Sequence, residues 1–186
     1  MSNDHVTTLE DLEGGLTAEI LYDKDVDMPF SDDEAVRIVV LHGKYIDPSK
    51  GALGTDPKAV QKWCDKNQAE WYTVPLWLYD HSGTVYRVAA ENPFHCRWDS
   101  GRVGIVALKR SEWGNGSETD EELFKRAQDI ASEYSDWANG ECFGYILKDE
   151  DGDEIDACWG FIGRDAVEAE AKAAAGSRAI PSSPSP

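Results

Sequence analysis

The chain has 186 residues, with 36 acidic side chains against 18 basic ones and a formal net charge of −18. A field this negative argues against direct binding of nucleic acid or of an anionic membrane, since both require a cationic footprint. Hydrophobic residues make up 41% and include seven tryptophans, too much core material for wholesale disorder and enough for a fold that needs no staples.

The charge is uneven. Residues 1–36 carry eleven acidic side chains and one basic, and residues 118–156 carry fourteen and three. Between them, residues 37–117 hold eight acidic and eleven basic side chains. The N-terminal sequence has neither a basic region nor an apolar run of the signal-peptide kind, so a cytoplasmic location is expected. Cys64, Cys96, Cys142 and Cys158 are widely spaced and read as free thiols, with Cys64 facing a helix core.

In chain order, residues 1–33 read as an acidic, partly ordered segment, loose through residue 15 and holding a short strand at 17–22. The β-branched run at 35–42 predicts a strand. Asp56-Pro57 is a cap followed by an N1 proline, which predicts a helix to about residue 69 with Val60, Trp63 and Cys64 inward. Residues 72–79 and 84–89 predict a hairpin across Asp80–Gly83, and residues 103–108 another strand. Thr119 and Glu122 have capping-box spacing. Behind them Leu123, Ala127, Ile130, Tyr134 and Trp137 form the apolar stripe of an amphipathic helix. Residues 142–148 and 154–161 flank an Asp-Gly turn, and residues 165–175 predict a last helix. The expected fold is α+β. It comprises a single domain over 34–175, with a mostly antiparallel sheet of five to six strands and two to three helices packed on it. Residues 176–186, rich in serine and proline, read as a disordered tail.

Three clusters carry chemistry. The first is a strip on the helix after Thr119. At 100° per residue, Glu122, Asp129, Glu133 and Asp136 share one outer face, with Lys125 and Arg126 at its margins. Carboxylates three or four positions apart lie about 5–6 Å from one another, loosely like the phosphates of a nucleic-acid strand. The second is the turn Asp149, Glu150, Asp151 and Asp153. It reads as an exposed hairpin turn, an acidic protein-binding tip or a hard-cation site, although the EF-hand pattern fails, since that needs its glycine at the sixth position and a glutamate at the twelfth. The third is the loop holding His81, His95, Cys96 and Asp99. These side chains could ligate zinc or form a Cys–His pair, which would make a metal-dependent hydrolase or a small-molecule-binding enzyme. The structural reading has His81 capping a turn while Cys96 and Trp98 pack inward. Neither phosphate-cradle pattern is present, so no nucleotide cofactor is expected.

The segments WLYDHSG (77–83), PFHCRWDSGRVG (93–104) and GECFGYILKDEDGDEIDACWGFIG (140–163) resemble a family of small acidic proteins encoded by phages, plasmids and other mobile elements. The resemblance implies a mobile-element accessory protein and assigns no residue a role. Small acidic proteins of that origin include anti-restriction and anti-CRISPR inhibitors that mimic DNA charge. The leading expectation is therefore a non-enzymatic inhibitor whose acidic surface docks on the basic channel of a host protein or protein–nucleic acid complex. Trp71 and Trp113 are the expected exposed anchors.

Overall fold

The computed structural model describes residues 4–51 and 53–179. In chain order its elements are β1 (His5–Leu12), β2 (Leu16–Tyr22), β3 (Val36–Val40), α1 (Pro57–Asn67), β4 (Trp71–Asp80), β5 (Thr84–Val88), β6 (Ser100–Lys109), α2 (Asp120–Ala138), β7 (Cys142–Lys148), β8 (Glu154–Ile162) and α3 (Arg164–Ala179). The fold is α+β, with three α-helices and two four-stranded antiparallel sheets among the described residues. One sheet of five to six strands is thereby corrected to two sheets of four. Alternating hydrophobicity marks a strand but does not name its partner. The chain divides into two compact units, Met1–Asp27 with Gly140–Pro186, and Met28–Asn139, where composition leads to a single domain over 34–175.

In the Met28–Asn139 unit the strand order is β3-β6-β4-β5. Residues alternate between the faces of this sheet, and both faces are apolar. Val36, Ile38, Leu76, Leu78 and Tyr86 pack with Leu123, Ala127, Ile130 and Tyr134 of α2. Val39, Ile105 and Ala107 pack on the other face with Val60 and Cys64 of α1. The sheet thus lies between two helices. Asp56 starts α1 by accepting from the Lys58 N–H at 3.0 Å. Gly104 lets β6 and β3 approach closely, because a Cβ there would stand 1.7 Å from the Val39 carbonyl oxygen.

Both edges of this sheet are closed by side chains. On β3, Asp33 accepts from the Val36 N–H at 3.0 Å and Asp47 from the Val40 N–H at 3.1 Å. On β5, Ser135 accepts from the Tyr86 N–H at 2.8 Å. Asn139 accepts from the Thr84 N–H at 2.9 Å and donates to its carbonyl at 2.7 Å. Such cover blocks the strand-to-strand pairing that open edges invite. The Tyr134 hydroxyl donates to the Ile46 carbonyl at 2.6 Å and ties the 42–51 loop to α2. Burial pushes the Tyr86 phenol up to about 12.

In the other unit the order is β1-β2-β7-β8. Ala18, Ile20, Phe143, Tyr145 and Leu147 face Val167, Ala171 and Ala175 of α3. Small alanines let the helix lie close to the sheet. Residues 5–12, expected to be loose, form β1. Its pairing with β2 carries two register shifts, so the segment lacks the clean alternation of a regular strand. Lys148 pairs with Glu19 across the sheet at 2.7 Å, and Arg178 of α3 pairs with Asp156 at 3.0 Å. The last helix runs to Ala179, past the expected end at 175, and residues 180–186 of the Ser/Pro tail lie outside the described residues. No helix among the described residues is long and apolar enough to cross a membrane.

Candidate functional site

The α2 strip is built as its spacing predicts, but its members differ in what they do. Asp129 and Glu133 are exposed, and Asp136 is half-buried. Glu122 is also exposed but is committed to the start of its own helix. Its carboxylate accepts from the Thr119 N–H and hydroxyl, both at 2.8 Å, while the Thr119 hydroxyl accepts from the Glu122 N–H at 3.3 Å. Those bonds, the backbone one foremost, hold the Glu122 carboxyl below its usual range.

Arg110 and Arg126 make their ion pairs off the strip, although Arg126 also attracts Glu122 and Asp129 at longer range. Arg110 pairs with Asp120 at 2.6 Å. Arg126 donates to Glu118 at 2.6 Å and lies 4.8 Å over the Trp113 ring. Among the described residues no ion pair engages Asp129 or Glu133. The protein bulk around Glu133 removes hydration and Asp136 adds repulsion, so the Glu133 carboxyl is pushed up. Burial is the larger of the two causes and the like charge of Asp136 the smaller.

At the β7–β8 turn, Asp149 plays a different part from its neighbours. Its carboxylate accepts from the N–H groups of Asp151 at 3.0 Å and Asp153 at 2.9 Å. It therefore organises the turn instead of presenting charge, as aspartates in such turns do. Glu150, Asp151 and Asp153 are exposed.

The histidine–cysteine loop converges on Asp99. The Cys96 thiol donates to Asp99 Oδ2 at 3.2 Å, and His81 Nδ1 lies 3.8 Å from the same oxygen. The Asp80 N–H donates to the Asp99 carbonyl at 2.8 Å, and the Ser100 hydroxyl donates to the Cys96 carbonyl. Asp99 is thus the hub of a tied loop. The thiol faces a carboxylate, whereas Cys–His chemistry needs it to face an imidazole. His95 is exposed. Among the described residues no group of three or more His, Cys, Asp or Glu side chains is placed to hold a metal ion.

Asp80, which the sequence marks only as a turn residue, accepts from the Tyr45 hydroxyl at 2.6 Å and from the Lys44 ammonium at 2.5 Å. The Lys44 and Tyr45 bonds hold its carboxyl below the usual range.

The aromatic anchors need correction. Trp71 is buried beside Trp63, with the Arg37 guanidinium 4.7 Å over its ring, and Trp113 is half-buried under Arg126. The exposed indoles are Trp98, at 95%, and Trp159, at 48%. Trp98 stands outside the core, so it does not pack inward with Cys96. Trp159 lies against Gly144, where a Cβ would come within 2.2 Å of the ring.

Comparison of the chain with protein-family models, curated proteins and solved structures gives no match.

Proposed function

We propose that the protein is a non-enzymatic inhibitor that occupies the basic nucleic-acid-binding surface of a host defence complex, of the restriction or CRISPR kind. It would present carboxylates where that partner expects phosphates. The observation carrying this reading is the pair Asp129 and Glu133. They sit one helical turn apart, exposed, on a helix fixed at its start by the Thr119–Glu122 box and along its flank by Ser135 and Asn139. Neither is in an ion pair among the described residues, so Lys and Arg from outside would meet carboxylates without a close cationic partner. A rigid helix loses little entropy on docking, and its net negative field speeds encounter with a basic surface. Glu150, Asp151 and Asp153 at the β7–β8 turn offer a second set of the same chemistry.

The test is capture of a partner from host lysate, followed by competition. The captured protein should be basic and should bind nucleic acid, and duplex DNA should displace it. A partner that binds equally well with saturating DNA present would overturn the reading.

A further inference from the structure

A groove of about 570 Å³ opens beside the start of β3 in the Met28–Asn139 unit, with Arg37, Trp63, Trp71 and Lys109 on its wall. These side chains share the α1 face of the sheet. Arg37 alternates in step with Val39, and Lys109 with Ala107, and both Val39 and Ala107 pack under α1. Lys109 lies opposite Trp71 across the β4–β6 pair, and Trp63 comes from α1 itself. The Arg37 guanidinium stands 4.7 Å over the Trp71 ring and 5.4 Å over that of Trp63, and the two indole centroids are 5.6 Å apart.

Arg37 is half-buried, and among the described residues no hydrogen bond or ion pair engages its guanidinium. A guanidinium held over aromatic faces, with its N–H donors unmet, is one half of a bidentate pair. The other charges on the wall differ. Lys109 pairs with Glu112 at 3.5 Å, and Asp32 pairs with Lys50 at 3.0 Å. Asp33 accepts from the N–H groups of Ala35 at 2.6 Å and Val36 at 3.0 Å. Glu34 and Glu70 also line the groove, exposed and in no ion pair among the described residues.

These contents narrow the ligand. A cation would be held on the indole faces, which Arg37 already occupies. A polyanion meets the net charge of −18 and the two exposed glutamates. A single carboxylate carries the least of that repulsion and matches the guanidinium fork. We propose that this groove binds an organic monocarboxylate, its carboxylate on Arg37 and an aromatic body against the half-buried Trp63. The carboxylate comes either from a free small acid or from the C-terminus of a peptide.

The test is an NMR titration of the full chain at neutral pH, reading the Arg37 Nε–H and the Trp63 indole N–H. The probes are benzoate, acetate, inorganic phosphate, N-acetylphenylalanine and its uncharged amide. Benzoate and N-acetylphenylalanine should shift both signals to saturation, each binding at least about tenfold more tightly than acetate, which lacks the ring. Arg37→Lys keeps the charge and loses the fork, and should weaken benzoate about tenfold, read at Trp63. Arg37→Gln should abolish saturation. Arg37 also covers Trp71, so the amide spectra of both variants are compared with the parent's. The double variant Glu34→Gln with Glu70→Gln touches only exposed side chains and keeps the test open should the Arg37 variants unfold. It should tighten benzoate about two- to fivefold. N-acetylphenylalanine binding more tightly than benzoate would make a peptide C-terminus the source, and binding more weakly a free acid. Absence of saturation for every carboxylate up to about 10 mM would overturn the proposal. So would unchanged benzoate affinity in a folded Arg37→Gln variant, an amide that binds as tightly as its acid, or phosphate binding more tightly than benzoate. An Arg37 Nε–H signal that moves as far on the double glutamate substitution as on benzoate would mean that those glutamates already hold the guanidinium, and would overturn it too.

Discussion

The Ser135 hydroxyl accepts the backbone N–H of Tyr86 at 2.8 Å and donates back into its own helix, to the Ala131 carbonyl, at 2.8 Å. A helix side chain thus takes the place that a further strand would occupy beside β5. Fold and candidate surface are coupled here, because the helix that carries Asp129 and Glu133 is pinned to the sheet by its other flank.

Replacing Ser135 by alanine leaves the Tyr86 N–H unpaired in a buried setting. The expected loss is about 1–3 kcal/mol of unfolding free energy, read by urea denaturation with an unchanged slope. A loss below about 0.5 kcal/mol would mean that water or the backbone replaces the hydroxyl.

Gly104→Ala should destabilise by at least about 1–3 kcal/mol, since the new methyl meets the Val39 backbone and not a flexible side-chain end. Gly101→Ala is the control on the same strand. Its Cβ meets nothing within 4 Å, and it should stay within about 0.5 kcal/mol of the parent.

Local signals were readable and long-range ones were not. The Thr119–Glu122 box, the stripe beneath it and the two hairpins each need only a few neighbouring residues. The strand at His5–Leu12 does not announce itself, because Thr7-Thr8 and Glu10-Asp11 break the alternation and β2 supplies the pairing. That β2 joins β7 and not β3 is a choice among equally apolar partners, and it splits the expected sheet in two. The tryptophans misled for a related reason. Trp71 opens a strand and is covered by Arg37 and by a core that includes Val39 and Ile105, all distant in sequence, whereas Trp98 sits in a loop whose own hydrogen bonds turn it outward. At the candidate surface the helical spacing of the strip was legible. The diversion of Arg126 to Glu118 and Trp113, which leaves Asp129 without an ion pair, required the structure.

The carboxylates at the start of α2 and farther along it have opposite pH signatures. Glu118 and Glu122 have folded-state values below the ordinary 4.5, owing to Arg126 and to Thr119 respectively. Their contribution is complete above 4.5 and is lost as pH falls through the depressed folded values. Glu133 is raised, so its ionised form opposes folding at neutral pH, and that opposition fades as pH falls through its folded value towards 4.5. Glu133→Gln should therefore raise the melting temperature at neutral pH, with the advantage gone by about pH 4. Thr119→Ala should cost about 1 kcal/mol at neutral pH and less in acid. A Glu133→Gln variant less stable than the parent at neutral pH would contradict the loss of hydration and the like-charge repulsion at Glu133.

The salt dependence of partner binding, compared between the parent and the double variant Asp129→Asn with Glu133→Gln, bears most directly on charge presentation. Charge presentation predicts that the parent's affinity falls steeply between about 0.05 and 0.5 M salt. The double variant should bind more weakly at low salt, with a shallower dependence and a melting temperature no lower than the parent's. An affinity for the parent that is flat across that range, or a double variant that binds as the parent does, would contradict it.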